Sequence, residues 1–369
     1  MQLQSAELDL VGLLSSLAAL SCQCCLPDGI QPLASLASLV RLQHLSLGVV
    51  DAPYGSSKLP DSLSALSKLQ SLHLSSTRNL ASSSPAELRL PGAWCQTATQ
   101  VTRVHLHGVD LPLRQELNST TDDNSSSSSS STGIFPAMLQ MDISFLSGPL
   151  SAPLECCRAI QFLKVEGTWL GNAGWAVLSL LPQLRELTLY GTDTDDDGDL
   201  DEFGQPLPLP RSLSSLACLT CLRVYHSDLY PAVTELPNLR EMSLSLFDIL
   251  PGSPSGWSLP GGPWLQNLEA LRIEHSDLGS IAAVLQQATR LSSLELEDIP
   301  WLRLRRYELP LLLRLPLKRL RLDKRPEASK FRLPEPLWDE ESFLVAEELR
   351  VALALRGSDV VFDICTEEE

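Results

Sequence analysis

Asp193, Asp195, Asp197, Asp199 and Asp201 alternate through the segment DTDDDGDLD, the densest cluster of chemistry-bearing side chains in the chain. Carboxylates at every second position, with a glycine for the tight turn, are what a hard cation such as calcium takes. Asp193, Asp195 and Asp197 would stand at positions 1, 3 and 5 of a calcium loop, with Gly198 and Leu200 at its turn and apolar positions. The closing position, which needs a bidentate glutamate, is Gly204, and Glu202 arrives two residues early. A strand pattern precedes the loop and PLPLP (206–210) follows it, where such sites have helices. The main reading is a solvated acidic loop; low-affinity calcium binding by these five aspartates is the alternative.

The other reactive side chains are less organised. His73, His105 and His107 fall at strand positions close enough to share a cation, although histidines so placed are more often plain surface groups. Nine cysteines include one pair at metal-ligand spacing, Cys218 and Cys221, with no second pair or nearby histidine to complete a zinc site. An odd cysteine count in a long chain speaks for a reducing compartment and against a disulfide framework. No nucleophile elbow, P-loop, HExxH or dinucleotide fingerprint is present, and the chain reads as no enzyme.

Charge narrows the partners. With 45 acidic and 28 basic residues the 369-residue chain carries a net charge of −17, so general binding to nucleic acid or anionic membranes is disfavoured. The exception is 303–332, where eleven basic side chains stand against Glu308, Asp323 and Glu327. Such a segment either steers an acidic partner or pairs with the acidic body. Leu8–Leu20 has Glu7 and Asp9 and no preceding basic residue, which makes it a poor secretory leader. No apolar run reaches the ~18 residues that a membrane span needs.

What could position these groups is a repeat. LVRLQHLSL (39–47) sets a frame in which Leu39, Leu42, Leu45 and Leu47 are apolar. The frame recurs at Leu66/Leu69/Leu72/Leu74, Val101/Val104/Leu106, Met138/Met141/Ile143, Ile160/Leu163/Val165 and Leu184/Leu187/Leu189. It continues at Leu219/Leu222/Val224, Leu239/Met242/Leu244, Leu268/Leu271/Ile273, Leu291/Leu294/Leu296 and Leu317/Leu320/Leu322, with Leu14/Leu17/Leu20/Cys22 as a degenerate first copy. Successive copies are 20 to 37 residues apart. LxL is a short strand with both leucines on one face, and the LxxL before it is helix- or turn-like. One copy cannot bury its apolar face alone, so about a dozen must stack into one continuous core.

These motifs resemble leucine-rich repeat proteins over nearly the whole chain. LPDSLSALSKLQSLHL (59–74) is similar to the plant-type repeat, and LPQLRELTL (181–189) and LPNLREMSL (236–244) resemble the irregular repeats of plant and green-algal proteins, with an L-domain-like or RNI-like solenoid. The repeat asparagine is mostly missing, which predicts a less regular ladder at the turns. The resemblance implies an α/β curved horseshoe with short parallel strands on its concave face, and a protein-binding role. It also implies, as an alternative, a substrate-recognition subunit of a ubiquitin ligase without a visible F-box; a calcium-responsive binder using the Asp193 to Asp201 loop is a third reading, drawn from those aspartates. The resemblance implies ciliary axoneme and cytoskeletal association, as in some algal proteins of this look, while a cytoplasmic location is the expectation from the cysteines and the poor leader.

The frame divides the chain into a solenoid over 1–335 and a cap over 336–369. The solenoid is interrupted by a Ser-rich disordered insert at 118–132, an acidic insert at 192–205 and a surface loop at 252–262. The cap is read as an amphipathic helix over 339–356, stopped by Gly357, followed by a closing strand at 360–364 and an acidic tail. Nothing similar is legible at the N-terminus. Residues between the inward leucines point out. They give a central row from Ser46 through His73, His105, Asp142, Lys164, Thr188, Arg223, Ser243, Arg272 and Glu295 to Arg321, and a second row two residues later. Exposed Tyr and Arg are favoured in binding hot spots. Lys164, Glu166, Tyr190, Arg223, Tyr225, Arg272 and Glu274 are therefore the expected contact patch of a monomeric, cofactor-free module that holds a folded protein.

Overall fold

The LxxLxxLxL frame is built from two hydrogen-bond patterns. In the LxxL part the N–H of Leu39 donates to the carbonyl of Leu36 at 3.0 Å and that of Leu42 to Leu39 at 2.9 Å. The same bonds join Leu66 to Leu63, Leu69 to Leu66, Leu216 to Leu213 and Leu219 to Leu216. A bond between residues three apart closes a 3₁₀ turn, so every third side chain lies on one face. The chain then extends and the inward period becomes two. Leu36, Leu39, Leu42, Leu45 and Leu47 are all buried in consequence.

The computed structural model describes residues 2–25, 30–50, 57–77, 88–111, 135–144, 154, 157–166, 176–190, 211–225, 233, 235–245, 257–274, 276, 278–297, 299, 302, 304–324 and 340–364. They fall into two compact units, 1–184 and 185–369. The first holds β1 (Gln2–Leu3), α1 (Ser5–Gly12), β2 (Ala19–Cys25), β3 (His44–Val50), β4 (Ser57–Lys58), β5 (Ser71–Thr77), β6 (Leu88–Arg89), α2 (Gly92–Thr97), β7 (Arg103–His107), β8 (Val109–Asp110), β9 (Gln140–Ser144) and β10 (Phe162–Glu166). The second holds β11 (Glu186–Tyr190), β12 (Cys221–Tyr225), β13 (Glu241–Ser245), β14 (Trp257–Ser258), β15 (Ala270–Glu274), β16 (Leu278–Ser280), α3 (Ala282–Gln287), β17 (Ser293–Glu297), α4 (Leu309–Arg314), β18 (Arg319–Lys324), α5 (Glu340–Ala354) and β19 (Asp359–Ile364).

In the first unit β1, β2, β3, β5, β7, β9 and β10 are parallel neighbours in that order. In the second the order is β11, β12, β13, β15, β17, β18 and β19, again all parallel. Register follows the repeat frame: Leu20, Leu45, Leu72, Val104, Met141 and Leu163 are opposite one another in turn. So are Leu187, Leu222, Met242, Leu271, Leu294, Leu320 and Val360. One carbonyl just before each strand fixes this register. The Ala18 carbonyl accepts from the N–H groups of Gln43 and His44 at 2.7 and 3.1 Å. Gln43, Gln70, Thr102 and Leu139 repeat the arrangement in the first unit, and Arg185, Thr220, Arg240, Glu269 and Ser292 in the second. Side chains just before the strands add to it: the Thr102 and Thr220 hydroxyls and the Asn238 amide donate to carbonyls of the preceding repeat.

A second, shorter set of strands was not expected. β4, β6 and β8 pair in parallel, as do β14 and β16. The surface loop read at 252–262 therefore needs correcting in its described part: Trp257 and Ser258 form a strand, and Gly261 packs so closely on Gln287 that a Cβ there would lie 2.7 Å from its amide nitrogen. The acidic insert at 192–205 and the Ser-rich insert at 118–132 lie outside the described residues.

Both ends carry helices. The predicted C-terminal helix runs over Glu340–Ala354 and stops at Gly357, whose φ of +74° favours glycine. Gly357 donates to the Ala354 carbonyl at 2.9 Å and Ser358 to that of Leu353 at 3.1 Å, a left-handed helix stop. Val345, Ala346, Leu349 and Leu353 are buried, and β19 adds in parallel to β18. At the other end β1 and α1 were not foreseen. The signal was a local one: the Gln4 N–H donates to the Glu7 carboxylate at 2.8 Å, half of a capping box over QSAE. Leu8 is buried, but Leu13 and Leu14 are 77% and 53% exposed, so the run shows no periodic apolar stripe. Leu14 is the counterpart of Leu39, which is 0% exposed, so the first copy departs from the frame at that position.

The cap is held by polar contacts as well as leucines. Ser342 is fully buried; its hydroxyl accepts from the Leu304 N–H at 3.1 Å and donates to the Leu304 carbonyl at 3.2 Å. Glu341 accepts from Arg305 and from the Arg306 N–H. Ser342→Ala would leave both Leu304 groups buried and unsatisfied, and should lower unfolding free energy by about 1–3 kcal/mol in urea titrations followed by circular dichroism.

Candidate functional site

Strand alternation puts leucines under the sheet and leaves a polar lattice on its other face. In the second unit the outward rows are Thr188, Arg223, Ser243, Arg272, Glu295, Arg321 and, two residues later, Tyr190, Tyr225, Ser245, Glu274, Glu297. Tyr190 and Tyr225 stand opposite each other and their rings stack, with centroids 4.3 Å apart and planes 5° from parallel. Arg223 lies beside this pair. Its guanidinium reaches Glu186 at 3.4 Å and Glu241 at 3.6 Å. Sequence reasoning missed these two carboxylates, which occupy the same alternation one step earlier in the strands.

Arg272 sits in a cage of glutamates. It pairs with Glu274, with Glu297 at 3.3 Å and with Glu295 at 3.9 Å. Arg319 joins Glu295 at 3.2 Å and Arg321 joins Glu297 at 2.9 Å. Burial disfavours the charged form of Arg272, but the three carboxylates outweigh it and hold its pKa above the ordinary value. Pairs this exposed add little stability. They do fix the orientation of long side chains, which lowers the entropy lost when a partner docks.

Of the seven expected contact residues, Tyr190, Arg223, Tyr225, Arg272 and Glu274 share the outward face of the second unit. Lys164 and Glu166 lie on β10 of the first unit, opposite Asp142 and Ser144. The first unit carries a different chemistry. His73 and His105 are opposite each other with ring centroids 4.2 Å apart. His105 Nδ1 lies 3.0 Å from Asp142 Oδ2, and His107 Nδ1 lies 2.9 Å from the Ser144 hydroxyl. Among the described residues no three His, Cys, Asp or Glu side chains converge on a point that would hold a metal. Asp193, Asp195, Asp197, Asp199 and Asp201 lie outside the described residues.

The cysteines at ligand spacing face different surroundings: Cys218 is exposed and Cys221 is buried. Burial pushes the Cys221 thiol up to about 12, with Arg223 opposing and Glu241 and Glu186 reinforcing the shift, so it holds its proton at neutral pH. Cys22 and Cys24, 3.8 Å apart between sulfurs on β2, are also free thiols. In the basic segment Arg305, Arg306, Arg319 and Arg321 pair with Glu341, Glu348, Glu295 and Glu297, which is the intramolecular use of that charge. Glu308 is buried and its acidity is weakened by that burial, against the Arg305 N–H it accepts from at 2.9 Å. No helix of the described residues is long and apolar enough to cross a membrane.

One LxL strand per repeat, stacked in parallel over a leucine core, defines an α/β leucine-rich repeat solenoid. No protein-family model matches the chain, and no curated protein sequence does. Among solved structures it is similar to a leucine-rich repeat protein of Leptospira interrogans, with a TM-score of 0.43 and 18% identity over 95% of this chain and 91% of that one. It is also similar to internalin C2 of Listeria monocytogenes, with a TM-score of 0.33 and 17% identity over 65% of this chain and 83% of that one. The assignment rests on the ladder and its register rather than on these likenesses.

The histidine lattice has a consequence for stability. His73 has its pKa lowered, by burial first and by His105 next, with Asp142 opposing. A depressed histidine binds fewer protons folded than unfolded, so stability should fall as pH drops below the unfolded value of about 6.5 and through the folded one. His73→Gln should flatten the dependence of urea midpoint on pH across that window, and an unchanged slope would count against the shift.

Proposed function

We propose that this protein is a non-catalytic protein–protein interaction module that holds a folded partner on the outward face of its strands. The observation that carries this reading is the stacked Tyr190–Tyr225 pair beside Arg223, on strands whose opposite face buries Leu187, Leu189, Leu222 and Val224 in the core. Tyrosine and arginine give large contact area and directional hydrogen bonds, and they concentrate binding energy at interfaces. The neighbouring Arg272 and Glu274, fixed in the glutamate lattice, would set charge specificity, with Lys164 and Glu166 as the corresponding contacts of the first unit. The glutamate cage gives those charges a defined geometry before binding, which favours a rigid, matching partner surface.

The module is proposed to act as a monomer, inside the cell, without catalysis and without a cofactor. The odd count of nine cysteines supports the location. Calcium binding at the acidic segment is open to direct measurement: isothermal titration with calcium should give no heat, and a saturable heat lost on replacing Asp193, Asp195 and Asp197 by asparagine would assign a cation role to that segment.

The functional reading is tested by affinity capture of the tagged chain from its own cell extract. A stoichiometric partner should be recovered, and Tyr190→Ala with Tyr225→Ala should weaken its binding at least about thirtyfold, the effect of losing a hot-spot contact. Retained affinity in the double variant would remove the tyrosine pair from the interface. Recovery of cullin-adaptor subunits would make the ubiquitin-ligase role the operating one.

A further inference from the structure

Strand β2 carries two thiols that the repeat does not call for. Cys22 stands at the second inward position of its copy, where every later copy, from Leu47 to Leu322, has leucine, isoleucine or valine. Cys24 follows at the next inward position, opposite Val49. Both are buried, at 6% and 0% exposure, and their sulfurs lie 3.8 Å apart.

We infer that Cys22 and Cys24 form a reversible thiol–disulfide site, oxidised by a hydroperoxide, with Cys22 as the attacking sulfur and Cys24 as the resolving one. The site lies under the sheet and is independent of the outward face on which a partner is proposed to dock.

Geometry carries the pairing. Alternate residues of a strand share a face, so β2 itself holds the two side chains together. The sulfurs need only close from 3.8 Å to a bond of about 2.05 Å. At the rise of an extended strand the two Cα atoms are about 6.4–6.8 Å apart. Disulfides span about 4.4–6.8 Å, so this one closes at the top of the range. A bond closed at that limit is strained and readily reduced, which suits a transient disulfide in a reducing compartment rather than a structural one.

The edge of the sheet supplies access and the sulfur contact assigns the roles. β1 pairs with β2 only through Gln2 and Leu3, opposite Gln23 and Cys24, and among the described residues no strand lies opposite Cys22 on that side. A two-residue edge pairing opens at small cost. Cys22 also keeps the small exposure that Cys24 lacks, so an oxidant meets it first. A hydrogen bond from Cys24 favours the thiolate at Cys22 and lowers its pKa, against the burial that opposes it. The same bond, reinforced by burial, raises Cys24, which keeps the proton while Cys22 is charged.

The chemistry then balances in two steps. The Cys22 thiolate attacks the terminal oxygen of the hydroperoxide ROOH; an S–O bond forms, the O–O bond breaks, and the alkoxide leaves with the proton Cys22 gave up, as ROH. The sulfenic acid so formed is neutral, which removes the charge that held the Cys24 proton. Cys24 attacks Cys22 Sγ; the S–S bond forms, the S–O bond breaks, and hydroxide leaves with the Cys24 proton as water. Two electrons pass from the sulfur pair to the peroxide, and a dithiol returns them by exchange.

The test treats the full, reduced chain with hydrogen peroxide at about pH 7, alkylates the remaining thiols and sequences the tryptic peptide 1–41 by tandem mass spectrometry. That peptide should lose two hydrogens at least about tenfold faster than the protonated Cys221 is oxidised. Fragments from cleavage between 22 and 24 should vanish, those from cleavage between 24 and 25 should remain, and dithiothreitol should restore both thiols. Cys24→Ala should stop at a sulfenic acid on Cys22, trapped by dimedone, and Cys22→Ala should leave Cys24 unmodified at the same dose. Circular dichroism checks that the variants fold, and the wild-type fragment pattern decides the pairing without them. A bond that takes in Cys25, a bond formed only between chains, or a Cys22 no more reactive than Cys221 would overturn the inference.

Discussion

Everything in this protein depends on the fact that no single repeat can cover its own leucines. Each contributes an inward pair from its strand and a further column from its 3₁₀ turn, and each column is buried by the repeats on either side. A buried leucine contributes about 1.5–3 kcal/mol through removal from water, so a repeat is stable only in its stack. The carbonyl that accepts two N–H groups from the following repeat adds direction to this packing, because it admits one register. Register then decides which residues face out, and the outward faces are where the chemistry is.

Two different surfaces result from one scaffold. The second unit presents aromatic stacking and a closed lattice of arginines and glutamates, in which Arg272 is shared among three carboxylates. The first presents imidazoles, with the Asp142 carboxylate against His105. Since the strands beneath are alike, substitutions on the outward face can change binding chemistry without touching the leucine columns, and the two surfaces are free to serve different contacts.

Much of this was legible in the sequence because LxL with an inward period of two and LxxL with a period of three are both written directly in residue spacing. The outward rows from Ser46 to Arg321 come out in the register that the spacing implied, and the C-terminal helix and its Gly357 stop stand within two residues of their expected bounds. What escaped the reading has a common cause: features set by contacts between distant segments leave no periodic trace. The pairing of β14 with β16 joins residues about twenty apart through two backbone positions. Ser342 is an ordinary serine in a helix until Leu304 is packed against it. Helix α1 buries Leu8 while exposing Leu10, so it lacks the stripe that would have announced it. Glu186 and Glu241 were passed over because only the two rows nearest the leucine pair were considered, although Arg223 draws its partners from the row before.

The central claim is that partners are held by outward strand residues rather than by the turn segments on the other side of the leucine columns. Hydroxyl-radical footprinting of the free protein and of its captured complex reads this directly, because tyrosine and leucine side chains are both labelled. Protection of Tyr190 and Tyr225 in the complex, with Leu180 and Leu139 labelled as before, is the result the account predicts. Unchanged labelling of both tyrosines together with protection of Leu180 or Leu139 would contradict it and move the interface to the turns.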